Sequence, residues 1–142
     1  MIFAAVLPLY VGPSQEARAR IDGAVAIADR FSIAYWQIIG RVWQCIATLR
    51  ERADADALNL LDNLVHVYRG SGAAFYISYQ AALSGLKLVE SGDVDRGLRN
   101  IALGLALADE DTERFTLPEV YRMSAMAYAR LPKPNLDEAQ RL

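Results

Sequence analysis

An acidic residue followed by an apolar helical stretch returns along this chain at a nearly constant interval. Glu16 leads the first such stretch, Asp56 the second 40 residues on, Asp95 the third after 39 more, and Asp137 the fourth after 42. Each of the first three is followed by an aromatic-rich partner: FSIAYWQIIGRVW, AAFYISYQAALSGLKL and LPEVYRMSAMAYARL. The unit is helix–turn–helix with a period near 40. A two-helix unit cannot bury its apolar face alone, but stacked units share a continuous core. The repeat therefore predicts an all-α solenoid of about three helical hairpins. We expect one domain over residues 1–142, with units at about 14–52, 54–91 and 93–131 and a truncated helix at 135–142.

Local signals agree with six to seven helices. Leu58, Leu61, Val65 and Tyr68 form one stripe, and Leu98, Ile101, Leu105 and Ala108 another. Both follow the spacing that places side chains on one helix face. Pro13 and Ser14 suit a helix entry running to about Phe31. A second helix is expected over about Ile33 to Arg52 and a third over about Ala55 to Arg69, stopped by Gly70, Ser71 and Gly72. A fourth covers about Ala74 to Glu90, and Gly92 with Asp93 turns the chain into a fifth from Val94 to about Asp109. Leu117, Pro118 and Glu119 open a sixth that ends before Pro132. Asn135 caps a seventh.

Composition narrows the class. Hydrophobic residues are 54% of the chain and charged residues 23%, the balance of a globular protein. A net charge of -2 offers no broad attraction for nucleic acid or anionic lipid. A single cysteine, Cys45, allows no intrachain disulfide and fits a reducing cytoplasm. Met1 to Val11 is apolar but contains Pro8, lacks a basic leader and is too short to span a bilayer. It reads as a packing segment.

Ala81, Gly85, Leu88, Gly92, Gly97, Ile101 and Gly104 fall at the intervals of the tetratricopeptide repeat, as do Tyr121, Ala125, Tyr128 and, after a two-residue insertion, Ala139. Small residues at such positions let helices approach while large ones fill the facing groove. The chain departs from the pattern at Ala81, where a bulky aromatic is usual, and its period exceeds the usual 34. The resemblance is therefore to TPR-like repeats. From about Phe31 onward the chain also resembles the C-terminal repeat region of bacterial multidomain transcriptional regulators and adenylate cyclases that carry a signal-transduction ATPase. Glu113, Arg114, Phe115, Pro118, Glu119 and Arg122 carry that likeness. Cys45 stands where that class commonly has glycine. No winged helix or phosphate-binding GxxxxGK[ST] loop is present, so no DNA-binding or ATPase activity carries over.

The sequence offers little for chemistry. His66 has no second imidazole or cysteine pair with which to share a metal, and it reads as structural or surface. Cys45, beside Trp43 and Ile46, reads as a small buried hydrophobe. Glu110, Asp111 and Glu113 lack the ligand alternation of a calcium loop, and Gly70 to Gly72 lack a phosphate-loop lysine. We therefore expect no catalytic, metal or cofactor residues. Tyr35, Trp36, Trp43, Phe75, Tyr76, Tyr79, Phe115 and Tyr121 form one aromatic set in or near the first helices of the units; of these Trp43, like Tyr128, reads as core. Tyr35, Trp36, Phe75, Tyr76, Tyr79 and Tyr121, with Arg41 and Arg122, are the candidates for a concave partner-binding groove. The expected function is a non-catalytic module, cytoplasmic and not membrane-bound, that binds a protein segment or pairs as a homodimer, without direct nucleic-acid contact. A small-molecule sensor using the aromatic groove is the alternative.

Overall fold

The computed structural model describes residues 15–72, 75–110 and 114–142, excluding the side chains of 109 and 110. The expectations for Met1 to Val11, for the Pro13–Ser14 helix entry and for the acidic cluster at 110–113 lie outside the described residues or side chains. Among the described residues the fold is all-α: α1 (Gln15–Arg30), α2 (Ala34–Glu51), α3 (Ala55–Gly70), α4 (Ile77–Ser91), α5 (Val94–Glu110), α6 (Leu117–Ala129) and α7 (Leu136–Arg141). The chain divides into two compact units, meeting in sequence between Tyr68 and Arg69.

In the first unit α1 packs against α2. Ala17, Ile21, Val25 and Ala28 are the buried residues of α1, spaced at one per helical turn. Polar pairs run along the edge of this contact. Arg18 donates to Thr48 at 2.9 Å, Gln44 to Asp22 at 2.7 Å, and Gln37 to Asp29 at 2.9 Å. Partner numbers fall on α2 as they rise on α1, which makes the helices antiparallel. Such exposed pairs add little energy each, roughly 0–1 kcal/mol, but they fix the register. The corner between the helices is closed by Ile33 N–H to Ala28 C=O and Ser32 N–H to Asp29 C=O. Ser32 takes φ 53° there, a left-handed position usually given to glycine.

α3 starts on a cap from Asp54, whose carboxylate accepts the Ala57 N–H at 2.9 Å. That bond, then Arg52, holds the Asp54 carboxyl below its ordinary range. Leu58, Leu61, Val65 and Tyr68 are buried, as their spacing predicts.

In the second unit α4 is enclosed on every side: Ile77 through Leu86 are all buried. Gly92, at φ 94°, ends it with the same paired bonds that Ser32 makes, here to Val89 and Leu88 carbonyls. Two residues later α5 begins and runs back along α4. The two helices meet along a seam of glycines. A Cβ on Gly85 would lie 2.7 Å from the Gly97 carbonyl oxygen and 2.8 Å from the Ile101 nitrogen, and one on Gly97 would meet Gly85 and Val89 as closely. Gly104 lies against Ala82 and Ser78 in the same way, at 3.0 Å.

α6 packs on both α4 and α5, and α7 on α6. The Ser78 and Thr116 hydroxyls bond at 3.3 Å at one end of the α4–α6 pair, and Arg130 ion-pairs with Glu90 at the other. Those two ties join first turn to first turn and last to last, so α4 and α6 are parallel. The Asn135 side chain caps α7 by accepting the Glu138 N–H at 3.1 Å, as the sequence predicts.

Two expectations shift. The fourth helix begins at Ile77 rather than near Ala74, which lies outside the described residues. Tyr76, at φ 59°, holds a left-handed conformation that a helix cannot include. On α5 the buried face carries Gly97, Asn100, Ile101, Gly104 and Ala108, while Leu98 and Leu105 are half-buried. The helix is turned toward its small residues because only they permit the close approach to α4.

That seam gives a direct test. Gly85→Ala should destabilise the protein by about 2–4 kcal/mol, because the new methyl meets backbone that cannot swing aside. Gly23→Ala, with nothing within 4 Å of the added carbon, should stabilise by up to about 1 kcal/mol through helix propensity. Urea denaturation reads both. A Gly85→Ala midpoint equal to that of the parent would contradict the close approach.

Candidate functional site

Aromatic side chains gather in both units. In the second, Tyr76 is the hub. Its ring meets Phe75 edge-on at 4.5 Å between centroids, Phe115 at 5.2 Å and Tyr79 at 6.4 Å. These are the edge-to-face arrangements that aromatic quadrupoles favour. Tyr79 is buried, at 2% exposure, and anchors the group in the core. Phe75 and Tyr76 are half-buried, and Phe115 is 60% exposed.

The backbone explains this placement. Pro118 lies in the first turn of α6 and fixes its start, which leaves Phe115 just outside the helix. The Ser78–Thr116 bond then ties the segment carrying Phe115 to the first turn of α4. Tyr76 immediately precedes that turn, so its left-handed backbone sets the direction of its ring. A non-glycine residue held there costs about 1–2 kcal/mol and persists only where its surroundings impose it.

In the first unit Tyr35 stacks edge-on against Trp36 at 5.1 Å and shares a hydroxyl–hydroxyl hydrogen bond with Tyr68 at 3.1 Å. Tyr68 is buried and Tyr35 is 40% exposed. The eight groove candidates thus divide, with Tyr35, Trp36 and Arg41 in the first unit and Phe75, Tyr76, Tyr79, Tyr121 and Arg122 in the second. Arg41 pairs with Asp29 at 3.3 Å. Arg122 reaches along its own helix to Glu119 at 2.6 Å and the Met126 sulfur at 2.8 Å. Tyr121 is half-buried on α6. Phe115, a member of the aromatic set but not one of the eight groove candidates, is the most exposed ring of the hub. The Thr116–Leu117–Pro118 helix start leaves it just outside the helix.

Arg41 also lines a cleft of ≈ 300 Å³ in the first unit, with Gln44, Cys45, Thr48, Arg52 and Asp54 among its walls. Its polar walls are largely tied to one another or to α1: Arg52 to Asp54 at 3.0 Å, Thr48 to Arg18, and Gln44 to Asp22. Cys45 is 4% exposed, and burial, with the Asp54 carboxylate adding to it, pushes its thiol up to about 11. His66 is exposed, 3.9 Å from the Asp62 carboxylate one turn earlier. Among the described residues no group of three or more His, Cys, Asp or Glu is placed to hold a metal ion, and no helix is long and apolar enough to cross a membrane. Gln80 and Ser124 are fully buried, and neither the Gln80 amide nor the Ser124 hydroxyl has a hydrogen-bond partner among the described residues.

Comparison of the chain with protein-family models, curated proteins and solved structures found no match.

The thiol supplies the test of this local chemistry. An unfolded cysteine ionises near 9.0 and the folded one near 11, so the unfolded chain loses its proton first. Stability should fall as pH rises from 9 toward 11, with a slope of up to about 1.4 kcal/mol per pH unit from this group, and Cys45→Ala should remove that share. The folded protein should also react with a thiol reagent at pH 8 only at its opening rate. Immediate, stoichiometric labelling of the folded chain would show instead that the thiol is accessible.

Proposed function

We propose that this chain is a non-catalytic, TPR-like interaction module of a bacterial signalling or transcriptional regulator, working in the cytoplasm. Its partner is a protein segment rather than nucleic acid. The observation that carries this reading is the hub around Tyr76. An exposed Phe115 ring rests on a half-buried tyrosine that is held in a costly backbone conformation and backed by the buried Tyr79. Rigid aromatics with one face free are the side chains that dominate protein–protein contacts, since they bring large area at low entropic cost. The TPR-like reading is supported by the glycine seam at Gly85, Gly97 and Gly104 and by the parallel α4 and α6 with α5 against both.

A small-molecule sensor is the second reading, favoured by the cleft beside Arg41. Its ≈ 300 Å³ lies at the lower end of ligand-pocket sizes. Ligand binding there would raise the melting temperature, because only the folded state binds.

The test pairs the intact chain with a Tyr76→Ala/Phe115→Ala variant in capture from a bacterial lysate, followed by titration of any protein retained. Tyr79 is left intact, since it is buried and its loss would report on folding. Loss of two ring contacts should weaken a genuine partner at least about tenfold. Retention of the same partner with unchanged affinity would remove the hub from the binding surface.

A further inference from the structure

Four of the large hydrophobic side chains left in solvent lie within nine residues of one another, around the α1–α2 corner. Ile27 is 46% exposed, Phe31 64%, Ile33 42% and Tyr35 40%. Phe31, the residue after α1, lies one helical turn beyond Ile27 and donates its N–H to the Ile27 carbonyl at 3.1 Å, and the corner carries Ile33 and Tyr35 on from them. The corner is held in place rather than loose. Ser32 closes it in a left-handed conformation with two backbone bonds, and Tyr35 is pinned by its bond to the buried Tyr68. The charged groups there are engaged within the chain. Asp29 takes Gln37 and Arg41, and the Arg30 guanidinium lies 5.4 Å from the centre of the Phe31 ring.

We infer that this corner is a self-association surface, and that a second copy of the chain covers it. Area and charge both support that occupant. The four side chains expose roughly 400 Å² of mostly apolar surface, as large as the biggest patch on a typical monomer. A two-fold pairing of the patch with itself would remove about 800 Å². Homodimer interfaces are about 60–65% apolar, so the whole contact would be about 1,300 Å², within the range of stable pairs. The acid of the corner, Asp29, is engaged by Arg41 and Gln37, and its other cation, Arg30, lies against the Phe31 ring. Apolar side chains whose neighbouring charges are already engaged within the chain can meet their own copy without burying an unpaired charge. The corner belongs to the first unit and the Tyr76 hub to the second, so either can fail without the other.

The experiment is sedimentation velocity of the intact chain across a wide concentration range, beside Phe31→Asp/Ile33→Asp and the hub variant Phe115→Ala. The parent and Phe115→Ala should double in mass together as concentration rises. The corner variant should need at least about a hundredfold more protein. Since the replaced side chains are exposed, the fold should survive, and far-UV circular dichroism checks it. A second readout does not depend on that variant. In a two-fold contact Phe31→Cys should be linked to its own copy by a short bismaleimide, with Cys45 silent because it is buried. A parent that stays monomeric at every concentration overturns the inference. So does a dimer that persists in the corner variant, or a Phe31→Cys chain that gives no crosslink. A monomer that cosediments with phosphatidylcholine vesicles through Phe31 and Ile33 would assign the corner to a lipid surface instead.

Discussion

The second unit depends on one close approach. Backbone meets backbone where Gly85, Gly97 and Gly104 bring α4 and α5 together, with the Val89 and Ile101 side chains packed into the same seam. Helices that touch this closely gain dispersion contacts along their length. They also leave no tolerance for a methyl group at the contact. With α5 fixed, α6 can settle against both helices, and the ties at Ser78–Thr116 and Glu90–Arg130 bring it parallel to α4. Thr116 stands beside Phe115, so the same tie sets the position of the exposed ring over Tyr76. The hub is therefore downstream of the seam.

The two closed helix corners show how different residues meet one geometric demand. At Gly92 and at Ser32 the chain turns with the same pair of backbone bonds and a left-handed residue. Gly92 meets that need without steric cost, whereas Ser32 carries the penalty of its Cβ. Tyr76 carries the same penalty. In the described chain, the two non-glycine residues with positive φ stand next to the two exposed aromatic groups, the corner around Phe31 and the hub around Phe115. Strain and exposure coincide in both units.

Much of the fold was legible because large apolar residues mark helices by their spacing. Leu58, Leu61, Val65 and Tyr68 were readable as a stripe and are buried as one. The Gly92–Asp93 turn and the Asn135 cap follow from residues with a single preferred role. The facing of α5 was legible from two signals that do not coincide. Hydrophobic periodicity points to Leu98 and Leu105 as well as the buried Ile101 and Ala108, whereas the TPR-like spacing of Gly97, Ile101 and Gly104 marks the face that makes the contact. Tyr76 was hidden, since nothing local marks a tyrosine for a left-handed backbone, and its ring contacts with Phe75, Tyr79 and Phe115 come from the folded unit. The site was legible as a set of aromatic residues, but its partition was not. Which ring is anchor and which is exposed depends on burial, and burial is decided by contacts distant in sequence.

The two-residue turn at Gly92 and Asp93 has a kinetic consequence. It makes the tightest helix pair in the unit also one of the most local in sequence, with Gly85 and Gly97 only twelve positions apart. Closing so short a loop costs little chain entropy, and local contacts of this kind are the ones that form fast. The α4–α5 hairpin can assemble while the rest of the chain is still unordered, as it would be during synthesis. α6 then has a finished surface to dock on, and the unit grows by adding one helix at a time to a template already in place.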